Sequence, residues 1–409
     1  MAARSSLMAA LLQRIRPLKP WSTSVLRNPR PFSSMSSSIE ANAAEGEFSP
    51  VSEDDLRSRL FRLRFSKRSA TAALERWVGE GREVTAPELR QIAKELRRSQ
   101  RYKHALEISE WMKTHHESDL SESDYGFRID LITKVFGPNA AEDFFEGLPP
   151  IAKSCEAYTA LLHSYARAKL TKKAEDLFER MKKGNFSSNL MAYNEMMTLY
   201  VSVGQLDKVP MVVEELKRHK VSPDLFTYNL WISSRAATLD IDAVRRIIDE
   251  MAHDPNSDKG WITYMKLVDI YITAGHLVSS DNFIVESDTK VSQREWITYD
   301  FLIILYSGLG NKERMNAIWK SMQMTSQKMT CRNYICIISS YLMLGYVKDA
   351  GEVIDQWRQS KSLEFDISAC NRLFDAFVKA DLIETAEKFQ ELMLQKSFKL
   401  TSSSWNHST

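Results

Sequence analysis

The side chains that could carry catalysis in this 409-residue chain are few and poorly spaced for it. His115 and Glu117 form an H-x-E string, which in zinc deaminases supplies a metal ligand and a proton-transfer carboxylate. The P-C-x-x-C half of that motif is missing. The segment from Gly308 to Lys312 lacks the G-x-x-x-x-G-K spacing of a phosphate-binding loop. We therefore expect no enzymatic activity, no cofactor and no small-molecule substrate.

The cysteines give no sign of a metal site. The chain has four, Cys155, Cys331, Cys336 and Cys370, and none stands in a C-x-x-C pair. Three of them fall at or beside the first turn of a predicted helix, where cysteine packs as a small apolar residue. We expect free thiols in a reduced compartment, with no disulfide.

A repeat of 35 or 36 residues runs through most of the chain. A tyrosine opens six successive copies, and Cys370 takes the same place in the next copy. An internal period of this length is typical of stacked helical units. The tyrosines are Tyr158, Tyr193, Tyr228, Tyr264, Tyr299 and Tyr334.

Each copy has the pattern of a helical hairpin. Eleven residues after four of the tyrosines comes a glycine, which can adopt the positive φ that ends a helix. A small or apolar residue then precedes a bulky one by seven positions, as in Ala174 and Met181, and this spacing places both on one helix face. The glycines are Gly204, Gly275, Gly310 and Gly345. The sequence predicts an all-α, right-handed superhelical solenoid of about nine helix-turn-helix hairpins.

The predicted units divide the chain as follows. Residues 1–39 form a transit peptide and 40–55 a disordered linker. Degenerate helical repeats occupy 56–124 and a short repeat 125–154. Full repeats occupy 155–189, 190–224, 225–260, 296–330, 331–366 and 367–401, a degenerate repeat occupies 261–295, and 402–409 is a truncated tail.

The first 39 residues have the composition of an organellar import signal. They contain six basic residues, nine serines and no Asp or Glu, and their apolar run is too short for a secretory signal or a membrane span. Arg30-Pro31-Phe32-Ser33 resembles a mitochondrial processing site. We expect import into the mitochondrion, with cleavage close to Phe32 and the plastid as the alternative, and no membrane insertion.

Removing this leader reverses the sign of the net charge. The whole chain has 55 basic and 53 acidic residues; without the six basic ones it has 49 against 53, a net charge of −4. The mature chain is therefore not a general phosphate binder, and any nucleic-acid site must be local. Two dense basic strings remain, Arg57 to Arg68 and Arg97 to Lys103, which could contact phosphate, dock a protein or ribosome, or be solvated.

These repeats resemble the pentatricopeptide repeat (PPR) family, in its plant organellar P subclass. The resemblance rests on Asp224-Leu225-Phe226-Thr227-Tyr228-Asn229, on Leu190-Met191-Ala192-Tyr193-Asn194 and on the second-helix string from Ala174 to Met181. It implies that the first helices line a groove that holds single-stranded RNA, one base per repeat. The fifth and last residues of a repeat then read the base, and the second residue packs on its face.

When the family pattern is applied to this sequence, it assigns two well-formed base-reading pairs. Thr159 with Asn189 is associated with adenine, and Asn194 with Asp224 is associated with uracil. Asn229 is a further base-reading candidate. The base-stacking candidates are Met191, Phe226, Ile262 and Ile297.

The pattern fails elsewhere, because Met265 and Ile335 at fifth positions have no hydrogen-bonding group. Two functions therefore stay open. One is an organellar RNA-binding protein acting in transcript processing, stability or translation. The other is a scaffold that binds protein, possibly on the mitochondrial ribosome, with little sequence-specific RNA binding.

Overall fold

The computed structural model describes residues 55–63, 69–115, 120–184, 186, 189–275, 287–324, 329–360 and 363–400, with the backbone alone at 287–295. In these ranges every regular element is an α-helix except a 3-10 turn at Pro150–Ala152, which confirms the predicted all-α class. The predicted leader, the tail at 402–409, Glu117 and the segment 276–286 lie outside the described residues.

The helices divide into two compact units between Ala168 and Lys169. The first unit contains α1 Leu56–Phe61, α2 Ala70–Gly79, α3 Ala86–Arg98, α4 Tyr102–His115, α5 Glu122–Phe136, α6 Pro138–Glu146 and α7 Cys155–Arg167. Within it α1 packs on α2, α3 on α4 and α5 on α6, and α7 packs beside α5. Side chains of Ser69, Thr85 and Ser154 accept from free N–H groups at the starts of α2, α3 and α7.

The second unit contains the remaining helices, which alternate between first and second helices of a hairpin over most of its length. They are α8 Thr171–Lys183, α9 Leu190–Val203, α10 Lys208–Arg218, α11 Leu225–Ala237, α12 Ile241–Ala252, α13 Lys259–Ala274, α14 Ser287–Gly308, α15 Lys312–Gln323, α16 Cys331–Met343, α17 Val347–Arg358, α18 Ile367–Lys379 and α19 Ile383–Gln395.

Glycine ends three of the first helices as expected. Gly204, Gly310 and Gly345 have φ of +77°, +65° and +78°, the left-handed conformation that closes a helix C-terminus. Gly275 is different, because its φ is −78° and a Cβ there would lie 3.0 Å from Cγ of Arg332. Its role is close packing at the end of α13.

The repeated tyrosine joins the two helices of a hairpin. Tyr193 is 1% exposed and its hydroxyl lies 2.9 Å from Nδ1 of His219, just after the second helix α10. The Tyr228 hydroxyl donates to Asp254 at 3.1 Å, just after α12. In the hairpin of α16 and α17, Tyr334 stacks on Trp357 with ring centroids 5.0 Å apart.

Ion pairs connect second helices of successive repeats. Lys182 on α8 pairs with Glu215 on α10 at 2.6 Å. One repeat later, Lys217 on α10 pairs with Glu250 on α12 at 2.6 Å. Because these pairs are partly exposed, each contributes below about 1 kcal/mol, and the buried apolar faces provide most of the stability.

Helix α13 departs from this arrangement. It runs antiparallel to α14, with Tyr264 against Gly308 near one end and the ring of Tyr271 5.4 Å from that of Phe301 near the other. It also packs on α16 and α18, while α11 packs directly beside α14. The degenerate repeat at 261–295 therefore does not stack as one more hairpin in the row, and its first helix lies across the first helices that follow.

Candidate nucleic-acid interface

In four of the predicted repeats, those ending at Asn189, Asp224, Thr330 and Asp366, the last residue is the N-cap of the next first helix. The side chain of Asn189 accepts from the backbone N–H of Met191 at 3.0 Å, and that of Asp224 accepts from Thr227 at 2.8 Å. A short polar side chain at this position satisfies an N–H that the helix leaves free. The side chains assigned to base reading are thus held in fixed positions at the helix ends.

Asn194 and Asp224, the pair associated with uracil, lie in contact. The Asn194 amide nitrogen donates to Oδ1 of Asp224 at 3.3 Å, and the Asn194 amide oxygen accepts from the Thr227 hydroxyl at 2.8 Å. The Thr227 hydroxyl also lies 2.7 Å from Oδ1 of Asp224, so its single proton is shared between these two oxygens. Asn194 is 8% exposed, so this three-residue cluster lies at the edge of the buried interface between α9 and α11.

Thr159 and Asn189, the pair associated with adenine, belong to different compact units. Thr159 is 8% exposed and its hydroxyl donates to the Cys155 carbonyl at 2.8 Å, within α7. Asn189 is half-buried at the start of α9.

The stacking candidates differ widely in exposure. Met191 is 39% exposed and Ile262 is 49% exposed, which is unusual for large apolar side chains in this chain. Phe226 is half-buried at the start of α11. Ile297 is 2% exposed, so the structure leaves it no surface on which a base could stack. Ile297 is a packing residue of α14.

Asn229 is likewise not open to a base. It is 1% exposed, and its amide oxygen accepts from the Tyr264 hydroxyl at 3.1 Å. Gly260, the last residue of the same repeat and therefore the partner that the family pattern implies, does not cap the next helix, because α13 begins at Lys259 and the side chain of Asp258 caps it instead. The sequence assignment of Asn229 therefore does not agree with its buried position.

The corresponding cluster one repeat after α13 is fully buried. Asp300 is 0% exposed and accepts from the Asn333 amide at 2.9 Å and from the Tyr271 hydroxyl at 2.7 Å. Burial raises the pKa of this carboxyl to about 7, although the Asn333 and Tyr271 hydrogen bonds and the nearby Arg332 oppose the rise. Asp300 is at the repeat position of Asn194, and Asn333 at that of Thr227.

The sequence pattern did not identify the third residue of a repeat as part of the site. Thr227 and Asn333 each bridge to the fifth residue of the preceding repeat. In both cases a polar residue follows the helix N-cap by three positions, which is the spacing of a capping box. That spacing was the available signal in the sequence.

Three arginines of the basic strings are held by carboxylates. Arg57 pairs with Glu95 and Arg59 pairs with Glu80, each at 2.7 Å, and Arg97 pairs with Asp130. Arginines held by carboxylates offer less charge to a phosphate backbone than their density suggests.

Other site types find no support within the described ranges. The structure there shows no group of three or more His, Cys, Asp or Glu side chains that could hold a metal ion. None of the helices it describes is both long and apolar enough to cross a membrane. All four cysteines are free thiols, and Cys336 and Cys370 are buried.

Comparison with known proteins agrees with the repeat pattern. The sequence profile of the PPR repeat family matches residues 188–234, and that of the pentatricopeptide repeat domain matches residues 151–201. A mitochondrial pentatricopeptide repeat-containing protein of Arabidopsis thaliana is 50% identical over 374 residues, which cover 90% of this chain and 91% of that protein. A second pentatricopeptide repeat-containing protein of that plant is 31% identical over 88% of this chain and 74% of its own length.

Among solved structures, the maize pentatricopeptide repeat protein PPR10 superimposes with a TM-score of 0.32 at 13% identity, over 80% of this chain and 51% of the maize chain. The complex of PPR10 with an 18-nucleotide psaJ RNA element gives a TM-score of 0.31 at 12% identity, over 81% of this chain and 57% of that chain.

Proposed function

Because the chain belongs to the pentatricopeptide repeat family, we propose that it binds single-stranded RNA in a plant mitochondrion. The observation that carries this proposal is the exposed Met191 beside the Asn194–Asp224–Thr227 cluster. A flexible apolar side chain open to solvent next to a fixed donor and acceptor supplies both parts of base recognition, stacking and edge hydrogen bonding.

The uracil assignment fits the atoms of this cluster. The described hydrogen bonds of the Asp224 carboxyl fall on Oδ1, so Oδ2 is the oxygen that would accept from the N–H of uracil. The 3.3 Å bond from Asn194 is the longest of the set, and exchanging it for a bond to a uracil carbonyl would cost little. The base would lie between Met191 and Phe226, the second residues of adjacent repeats.

We also propose the finer assignments that the sequence suggested. Thr159 with Asn189 favours adenine on the preceding base, and the uniform units of 35 or 36 residues support assignment to the P subclass. Binding of this kind would act in transcript processing, stability or translation.

A change at the fifth position tests the base-reading proposal. Asn194→Thr should shift the preference of this repeat from uracil towards guanine, since Asp224 stays in place. The measurement is affinity for single-stranded RNAs that differ only at the base facing this repeat. Asn229→Thr is the matched control, because the same residue type at the same repeat position is 1% exposed and should leave base preference unchanged. An unchanged preference in Asn194→Thr, or no salt-dependent RNA binding by the wild type, would count against the proposal.

Location is tested separately. N-terminal sequencing of the protein from isolated mitochondria should find a mature end close to Phe32, because residues 1–39 are basic and free of acids. An intact Met1 on protein recovered from the cytosol would contradict mitochondrial import.

A protein-binding scaffold is the second candidate, favoured by the burial of the fifth-position residues Asn229, Asp300 and Ile335. Pull-down from organelles with and without nuclease separates the two functions. Partners that survive nuclease, together with no defined RNA footprint, would favour the scaffold.

A further inference from the structure

Helix α13 lies on the surface that the following repeats would use for RNA. We call the second and fifth residues of the first helices the groove face. On α14 these are Ile297 and Asp300, and both are buried, at 2% and 0% exposure. The Tyr271 hydroxyl of α13 donates to Asp300 at 2.7 Å, so α13 contributes directly to that burial.

The same helix reaches the groove face of the next repeats. Arg332, the second residue of the repeat at 331–366, donates from Nε to the carbonyl of Gly275 at 3.3 Å. Arg372 on α18, which follows the groove-face position 371 of its repeat, donates to the carbonyl of Ala274 at 3.2 Å. Both guanidinium groups thus satisfy free carbonyls at the C-terminal end of α13, where the helix dipole also favours positive charge.

The tyrosine that recurs in the repeats shows the displacement of α13 most directly. Tyr193 and Tyr228 bond to residues that follow the second helix of their own hairpins. Tyr264, at the same position in its repeat, instead donates to Asn229 on the preceding first helix and is 0% exposed. The tyrosine of α13 has therefore exchanged an intra-hairpin contact for an inter-repeat one.

Two glycines allow α13 to lie this close to α14. A Cβ on Gly308 would lie 2.9 Å from Cβ of Tyr264 and 3.0 Å from the Gly260 carbonyl oxygen. A Cβ on Gly260 would lie 2.8 Å from the Gly308 carbonyl oxygen. Backbones without side chains at the crossing point permit an approach that any other residue would obstruct.

We infer that α13 fills the groove face of the repeats at 296–330 and 331–366, where Ile297, Asp300 and Ile335 are buried, so that these two repeats offer RNA no surface for base stacking. The effect on RNA contacts rests on the proposed RNA-binding function, whereas the position of α13 can be measured without RNA. The nucleotides that would face these two repeats would then go unread.

Thiol accessibility tests the position of α13. Met191→Cys and Ile297→Cys place one thiol at the same repeat position on α9 and on α14, in a chain whose four native cysteines are alanine. Under native conditions Cys at 297 should react with a soluble thiol reagent at least ~100-fold more slowly than Cys at 191, because its reaction needs local opening. Equal rates in urea provide the control for intrinsic reactivity. Equal rates under native conditions would overturn the inference.

RNA length tests the functional consequence. Extending a bound single-stranded RNA by the two 3′ nucleotides that would face the repeats at 296–330 and 331–366 should change Kd less than about twofold. Stacking on two open repeats would instead raise affinity by roughly fivefold or more per base. Such a rise would overturn the inference that α13 covers these repeats while leaving RNA binding intact. A lack of binding at every length would refute the proposed function, and the thiol rates would still report where α13 lies.

Discussion

Asp300 is a carboxyl group enclosed between α13, α14 and α16, and it should make the stability of the protein fall as pH rises. Burial raises its pKa from 3.8 to about 7. The groups that face it are Tyr271, Asn333 and Cys336, with the charge of Arg332 nearby. Burial also raises the pKa values of Tyr271 and Cys336 well above their usual range, so neither changes charge near neutral pH.

The sign of the effect follows from proton linkage. Because the folded-state pKa lies above the unfolded value, the folded protein binds the proton more tightly, and stability is lost as pH rises through about 7. With these two pKa values, the free energy of unfolding loses roughly 2 to 3 kcal/mol between about pH 5 and about pH 8. Asp300→Asn keeps an acceptor for Asn333 and a polar partner for Tyr271 but cannot ionise. The stability of Asp300→Asn relative to the wild type should therefore rise by roughly 2 to 3 kcal/mol between about pH 5 and about pH 8.

Urea unfolding of both proteins at the two pH values measures this difference, and other titrating groups cancel in the comparison. Tyr271→Phe is the companion variant, because it removes one donor to the carboxylate and keeps the ring against Phe301. This substitution should lower the free energy of unfolding by about 1 to 3 kcal/mol, and the loss should be larger at the higher pH, where Asp300 is charged. If the stability difference between Asp300→Asn and wild type is the same at both pH values within about 0.5 kcal/mol, the buried-carboxyl reasoning is wrong.

Three further changes give measurable outcomes. Tyr193→Ala should lower the free energy of unfolding by ~3 kcal/mol, because a 1% exposed aromatic side chain is removed; a loss below ~1 kcal/mol in urea titration would contradict its core role. Gly308→Ala should lower the free energy of unfolding by about 1 to 3 kcal/mol because its Cβ would meet Tyr264, although alanine is the better helix former. A gain in thermal stability would show that α13 does not approach α14 so closely. Lys217→Ala should cost below about 1 kcal/mol through loss of the partly exposed pair with Glu250, and high salt should remove the difference in calorimetry.

The sequence by itself determined the hairpins, because a helical hairpin is specified by residues close together in the chain. The tyrosine, the glycine eleven residues later and the small-to-bulky spacing lie within one repeat, and α7, α9, α11, α16 and α18 begin where repeat units begin. The helix caps are also local, so Asn189 and Asp224 could be placed at helix starts from the spacing alone.

Only the tertiary structure decided which groove residues are open. Met191, Ile262 and Ile297 are equivalent in the repeat, but the first two are exposed and Ile297 is covered in the core. The reason is the position of α13, which depends on contacts with α14, α16 and α18, far along the chain. One signal was present in the sequence. Helix α13 carries apolar residues on several faces, including Trp261, Leu267 and Ile272, and a helix that is apolar around most of its surface must be enclosed by others.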